Sequence, residues 1–432
     1  MAKNRWLIAA AGVGIHISIG SVYAWSVFSK PLMAQFGWSL KEVGFTFGLA
    51  IFLLGTSAAV MGHVVEKRGP RFSGTLSAIF WAVGLLGAGL AVDLGNLWLL
   101  YLCYGVIGGI GLGTGYVTPV STLMKWFPDR RGLATGLAIM GFGFASFLGA
   151  PLMAKLIQSF GIANTFYTLG CIYAVVMLAS ARYLEPPPAG WKPAGFEEAL
   201  ASGKKKPAMD LMPMTANEAV KTKPFYGLWI MMFINISCGI AVISVASPMA
   251  QEVTGMSALA AGAVVGMIGL FNGGGRLAWA SFSDTLGRPN TYIAFFLIQV
   301  FAFFLLPTLK DVLLFQVVLY LIMTCYGGGF STLPAYIGDL FGTKQVSAIH
   351  GYVLTAWAMA GLVGSSFASF LREATGSYAA MTTVFAAIFV VALGVSIAMK
   401  LFVNRELARR HLAYAQVEAD GLALAAADEE SR

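Results

Sequence analysis

The chain has 432 residues, of which 58% are hydrophobic and only 11% charged, and its mean hydropathy is +0.75. Soluble domains average about 25% charged residues, so this composition excludes an ordinary water-soluble fold. The net charge of +8 would suggest nucleic acid on a soluble chain; here it follows from loop placement, and no nucleic-acid partner is expected.

In chain order, the first apolar run is 6–28, behind Lys3 and Arg5. At about 23 residues it exceeds the core of a cleavable signal and reads as a retained membrane helix. Further runs near the 20 residues that span a bilayer core follow at 43–62, 72–92, 97–121, 133–157 and 164–183. A second set lies near 225–250, 257–280, 291–308, 312–335, 348–370 and 378–402. The prediction is an all-α membrane protein of twelve transmembrane helices in two six-helix halves. Its parts are an N-terminal half at 1–184, a linker at 185–224, a C-terminal half at 225–403 and a polar tail at 404–432. Pro186-Pro187-Pro188 and Lys204-Lys205-Lys206 give the linker the look of a flexible cytoplasmic segment.

Most of the 28 lysines and arginines fall on the side of both termini, which places those termini in the cytoplasm of a multi-pass plasma (inner) membrane protein. The opposite side holds Lys30, Lys41, Lys155, Lys310 and Arg372, and Arg276 lies inside the eighth run. Cys103, Cys171, Cys238 and Cys325 sit in apolar segments without C-x-x-C or paired-histidine spacing. No disulfide framework, metal site or cofactor is expected. No nucleophile–base set or acid pair suggests an enzyme.

The two halves share punctuation. Gly62 to Arg71 stands between the second and third runs, and Ala280 to Arg288 between the eighth and ninth. Each has a small residue, an acid four later (Glu66, Asp284), and a glycine three after that, followed by a basic residue (Arg71, Arg288). A second matched pair is Trp126-Phe127-Pro128-Asp129-Arg130-Arg131-Gly132 and Leu340-Phe341-Gly342-Thr343-Lys344. An internal repeat of this kind is the form of a two-half transporter. Glu66, Arg68, Arg71, Asp129, Arg131, Asp284 and Arg288 are the expected gating residues, able to latch one face through helix-end amides and ion pairs. The loop resembles the Major Facilitator Superfamily signature G-x-x-x-D/E-R/K-x-G-R/P-R, matched at Gly62, Glu66, Lys67, Gly69 and Arg71. Ala280 and Thr285 depart from it, which predicts a weaker second latch.

Arg276 is the one permanent charge at depth, about 12 Å of helix before Asp284. Burying it costs about 2.5–3.5 kcal/mol, and no carboxylate lies in the apolar runs to neutralise it. An anionic solute is the best partner, because a guanidinium grips a carboxylate with two parallel hydrogen bonds. Asn272, one turn earlier, is placed to orient the guanidinium or bind a substrate hydroxyl. Phe271 to Arg276, Tyr23-Ala24-Trp25, Tyr116 ahead of Lys125 to Asp129, and Lys221 to Trp229 together resemble the oxalate/formate antiporter family and the related monocarboxylate (lactate) transporters. The resemblance implies a central cavity anchored by Arg276 and walled by Tyr23, Tyr116, Tyr326 and Phe330. It also implies that Trp357 stands where oxalate carriers have a lysine, leaving one cation for a monoanion.

The resulting expectation is a monomeric carrier of a small monocarboxylate, L-lactate or pyruvate in class. It would work by alternating access and proton symport, with His16 the candidate proton carrier. Oxalate:formate exchange is the alternative, and a transporter-like solute sensor the remote one.

Overall fold

The computed structural model describes residues 3–202 and 210–430, and the Lys204 to Lys206 run lies outside them. Among the described residues the secondary structure is helical, without strands. The N-terminal half comprises α1 (Arg5–Gly20), a 3₁₀ turn (Ser21–Ala24), α2 (Ser26–Phe36), α3 (Leu40–Asp93), α4 (Leu97–Leu100), a π-helical stretch (Tyr101–Gly108), α5 (Gly109–Trp126) and α6 (Arg131–Tyr183). Short helices α7 (Phe196–Ala201) and α8 (Ala216–Ala219) precede the second half. That half holds α9 (Lys223–Thr254), α10 (Ala258–Leu286), α11 (Arg288–Leu305), α12 (Val312–Phe341), α13 (Val346–Val353), α14 (Thr355–Thr375) and α15 (Tyr378–Glu430).

Among the described residues, nine helices are long and apolar enough to cross a membrane. Two of these are 53 residues long, about 80 Å at 1.5 Å per residue, far beyond a hydrocarbon core of about 30 Å. Each is broken into two limbs by one glycine, Gly69 in α3 (φ 81°, ψ 169°) and Gly161 in α6 (φ 81°, ψ 173°). Without a Cβ, glycine enters this positive-φ region at little cost. Two positive-φ glycines repeat between halves with matching conformations, Gly37 with Gly255 and Gly69 with Gly287, whereas Gly161 (ψ 173°) and Gly376 (ψ 5°) share only the sign of φ. The helix caps repeat too, since Ser39 caps α3 and Ser257 caps α10 through their side-chain oxygens. In the first two loops of each half the sequence repeat is thus also a repeat of backbone conformation.

Besides the π-helical stretch in the fourth run, two runs expected to be continuous are interrupted. The first changes to 3₁₀ at Ser21–Ala24, and the eleventh breaks at Leu354 between α13 and α14. Both interruptions flank the central site described below. The outward faces carry exposed large hydrophobics such as Ile79, Val175, Phe301, Leu313 and Val391, which a lipid environment accommodates.

The linker departs from the flexible reading. The amides of Leu211, Met212 and Met214 donate to the carbonyls of Asp339 (2.9 Å), Leu340 (2.6 Å) and Phe341 (3.3 Å). These are the last carbonyls of α12, which have no acceptor role inside their own helix. Thr215 and Glu218 form a capping box on α8, and Leu211 is buried. The segment from 210 onward is therefore fastened to the C-terminal half.

Candidate functional site

Arg276 on α10 is fully buried, 0% exposed. The backbone makes room for its stem: a Cβ at Gly143 would lie 3.1 Å from Arg276 Cδ, and one at Gly327 would lie 3.1 Å from Cγ. Arg276 Nε donates to Asn272 Oδ1 at 2.8 Å, and Nη1 points at the Ile139 carbonyl at 3.5 Å. Asn272 thus orients the guanidinium, and Nη2 has no protein partner. No carboxylate pairs with Arg276 among the described residues.

An aromatic cage surrounds this cation. Its guanidinium carbon lies 4.8 Å from the Phe330 ring centroid and 5.7 Å from that of Phe142. Trp357 packs edge-on against Phe330 (4.8 Å), Tyr116 (5.2 Å), Phe142 (5.6 Å) and Tyr23 (6.2 Å). Tyr326 stands edge-on to Phe330 at 5.4 Å, its ring pressed onto the backbone of Gly239, and neighbours Tyr23. Tyr23 rides on the 3₁₀ turn. His16 stacks on Tyr116 at 5.2 Å and its Nε2 lies 3.0 Å from the Tyr116 carbonyl.

The structure brings all eight residues singled out for solute and proton together around one point. Besides Arg276 Nη2, the buried polar atoms Tyr23 Oη, Tyr116 Oη and Trp357 Nε1 make no close hydrogen bond among the described residues, the two hydroxyls facing Arg276 and Tyr23 also facing Tyr326. A convergent set of unused donors in an apolar cage suits an anion with an apolar tail, because buried donors are costly to leave unmade. Two members of the cluster were missed from sequence, Phe142 and His350. His350 lies 5.9 Å from Tyr116, and both its ring nitrogens are unpartnered.

At one end of the bundle the two halves are latched. Asp284 accepts from the amides of Gly132 (2.8 Å) and Leu133 (3.0 Å), at the start of α6. Glu66 accepts from the amide of Ser347 (3.0 Å), at the start of α13, and from Lys125 Nζ (2.9 Å). Each acid caps the N-terminus of a helix in the opposite half, where amides and helix dipole favour an anion. Arg131 bridges Asp339 (3.1 Å) and Asp210 (3.0 Å), while Arg288 binds Asp284 (2.6 Å), Asp339 (3.0 Å) and the Ser283 hydroxyl. Asp339, Asp210 and Lys125 were not foreseen.

Three gating expectations change. Arg68 turns outward over Phe72 at 5.6 Å, Arg71 pairs with Glu185 at the linker root (2.8 Å), and Asp129 binds Arg5 (2.7 Å). The second latch, expected to be the weaker because of Ala280 and Thr285, forms contacts of the same kind as the first, with its small residue on the other side of the interface. In the first copy Gly62 presses on α13, a Cβ there lying 2.5 Å from the Ser347 carbonyl; in the second, the small partner is Gly132, whose Cβ would overlap the Ala280 carbonyl.

Long apolar helices in matched halves, a buried unpaired cation between them and a latch at one end define a membrane transporter. Residues 10–365 match the family model of the Major Facilitator Superfamily, and the chain belongs to that superfamily of multi-pass membrane transporters. It is 26% identical over 367 residues to the oxalate:formate antiporter of Oxalobacter formigenes, covering 84% of this chain and 83% of that one. It is 23% identical over 449 residues to apicoplast pyruvate carrier 1 of Toxoplasma gondii, covering 81% of each. The structure of the human organic anion transporter MFSD10 matches with a TM-score of 0.70 at 15% identity, over 91% of this chain and 100% of that one, a likeness of fold.

Proposed function

We propose that the protein is a secondary active transporter of a small monocarboxylate of the L-lactate and pyruvate class. It moves the anion together with a proton by alternating access, with Arg276 as carboxylate anchor. The observation that carries this reading is Arg276 itself, a fully buried cation with an unpartnered Nη2 in a cage of aromatic rings. One cation and an apolar wall fit one carboxylate and a short tail. The similarity to a pyruvate carrier supports the substrate class. We also propose twelve spans: the nine long apolar helices, two of them divided at Gly69 and Gly161 into two crossings each, with α10, the helix of Arg276, as the twelfth; both termini lie on the latch side in the cytoplasm of the inner membrane, and the functional unit is a monomer, since one chain holds both halves.

The test is uptake of labelled L-lactate into proteoliposomes with and without an inward proton gradient. Gradient-driven accumulation is the expected result; lactate uptake indifferent to the gradient would remove proton coupling, and no lactate or pyruvate uptake at all would remove the substrate class.

Oxalate:formate exchange is a second reading, favoured by the similarity to the antiporter. Trp357, within the cage, is the position to probe. Trp357→Lys adds a second cation, and oxalate uptake relative to lactate should rise about tenfold, the effect of about 1.4 kcal/mol. A native chain that already prefers oxalate in the same vesicles would favour exchange instead.

A further inference from the structure

We propose that His350 is a proton-binding residue of the transport site, taking up the coupled proton when a carboxylate occupies Arg276. The inference rests on the monocarboxylate reading and adds to it the residue that carries the proton.

His350 is 1% exposed, and neither ring nitrogen has a hydrogen-bond partner. A neutral imidazole carries one N–H donor and one lone pair, so a wholly unpartnered buried ring forfeits two interactions at once. His16 is different: its Nε2 is committed to the Tyr116 carbonyl at 3.0 Å, and its ring is stacked on Tyr116, which is helix-to-helix packing. The two histidines flank Tyr116, with ring centroids at 5.2 Å for His16 and 5.9 Å for His350, and Phe142 lies between His16 (6.3 Å) and the Arg276 guanidinium (5.7 Å). Arg276, His16 and His350 therefore form one electrostatic unit.

The location suits proton exchange with water on the latch side. His350 lies one turn beyond Ser347, whose amide Glu66 holds. The seal over it is backbone against backbone: a Cβ at Gly351 would overlap the Ala58 carbonyl, and one at Gly62 would lie 2.5 Å from that of Ser347. When α3 and α13 part, His350 is among the first buried groups to meet water.

The groups around it are accounted for. Tyr116 of α5 and His16 of α1 face the ring. From α3, Glu66 is shared between Ser347 and Lys125 of α5, and His63 is bonded to Tyr352 of α13 (2.7 Å), which reaches Asn217 of α8. Tyr336 of α12 is buried with a free hydroxyl, and Asp339 is held by Arg131 and Arg288. Trp229 of α9 bonds Thr355 of α14.

Coupling follows from charge. A second positive charge at His350, separated from Arg276 by the rings of Tyr116 and Phe142, is repelled by it where the dielectric is low. A carboxylate on Arg276 cancels that repulsion, so anion and proton each favour the other's binding, and the linkage is reciprocal. The buried charge is +1 both in the empty site and in the site holding anion and proton together, so both limbs of the cycle carry the same charge.

The experiment titrates the purified full chain with L-lactate from pH 6 to 8, where lactate is ionised. Binding is read by tryptophan fluorescence and proton uptake by an indicator dye, with a thermal melt as fold control. The native chain should take up about one proton per lactate bound, and its affinity should fall roughly tenfold or more as pH rises. His350→Gln should still bind lactate, with proton uptake reduced several-fold and affinity constant within about twofold across the range; His350→Asn repeats the test with a smaller amide. Unchanged proton uptake in these folded variants, or its loss in His16→Gln alone, would overturn the inference. Lactate binding by the native chain without proton uptake would overturn it too while leaving the substrate reading intact; no lactate binding would remove both.

Discussion

Arg276→Ala should abolish concentrative lactate uptake, with binding weakened about 100-fold or more, equivalent to about 3 kcal/mol for the loss of a desolvated, charge-assisted contact. The same substitution should raise thermal stability in the absence of substrate. Arg276 is fully buried with no carboxylate partner among the described residues, and a cation so placed costs about 2.5–3.5 kcal/mol on insertion scales. A melt measured alongside binding then separates this outcome from misfolding, because a misfolded variant would lose both. Arg276→Lys keeps the charge but not the planar fork, and should fall between the two, near a tenfold loss of affinity. Native transport by Arg276→Ala would remove the anchor from the proposal.

Gly132→Ala should cost at least tenfold in transport while leaving lactate affinity within about twofold, because it blocks a conformational step rather than the site. A Cβ there meets the Ala280 carbonyl head-on, with Arg288 Nη1 at 2.6 Å and Asp284 Oδ1 at 2.8 Å. Those neighbours are backbone and a latched ion pair, so the methyl group must hold α6 away from α10. Spin labels at Arg130 and Thr285, both exposed and on opposite sides of that contact, in a Cys171→Ser background, would read the separation directly. The expected result is a longer distance in Gly132→Ala than in the native chain. Asp284→Asn should move the equilibrium the same way but less, since the amide oxygen still accepts from Gly132 or Leu133 while the charge is gone. An unchanged distance together with normal transport would show that this close approach is not part of the closing step.

Arg276 was legible because a charge inside an apolar run has few uses. Its neighbour Asn272 was legible from helix periodicity, and the repeated loop showed where acids would meet helix ends. The cage was legible only through family resemblance and the alignment of spans. Phe142 was not, since nothing in Gly141-Phe142-Gly143-Phe144 says which ring turns inward; Phe142 is buried against Trp357 while Phe147, five residues on, is exposed. His350 was visible but had no stated direction. The linker was misread because prolines and lysines describe its first part, whereas its second part is held by backbone amides that composition does not reveal. Arg68 and Arg71 share the signature with Glu66, yet only the acid reaches the opposite half.

The unpartnered donors of the cage also bear on turnover kinetics. Closing both faces over Arg276 Nη2, Tyr23, Tyr116 and Trp357, with only the two tyrosine oxygens to accept from four donors, leaves donors unmade at about 1–3 kcal/mol each. A bound carboxylate supplies the missing acceptors, so the occluded intermediate is reached more easily by the loaded protein than by the bare one. Reorientation without cargo then becomes the slow limb of the cycle. Anion on the far side should accelerate release from the near side, and one-for-one swapping should outpace net accumulation. On this view, symport and antiport differ less in architecture than in how high the barrier stands for the return of the bare protein.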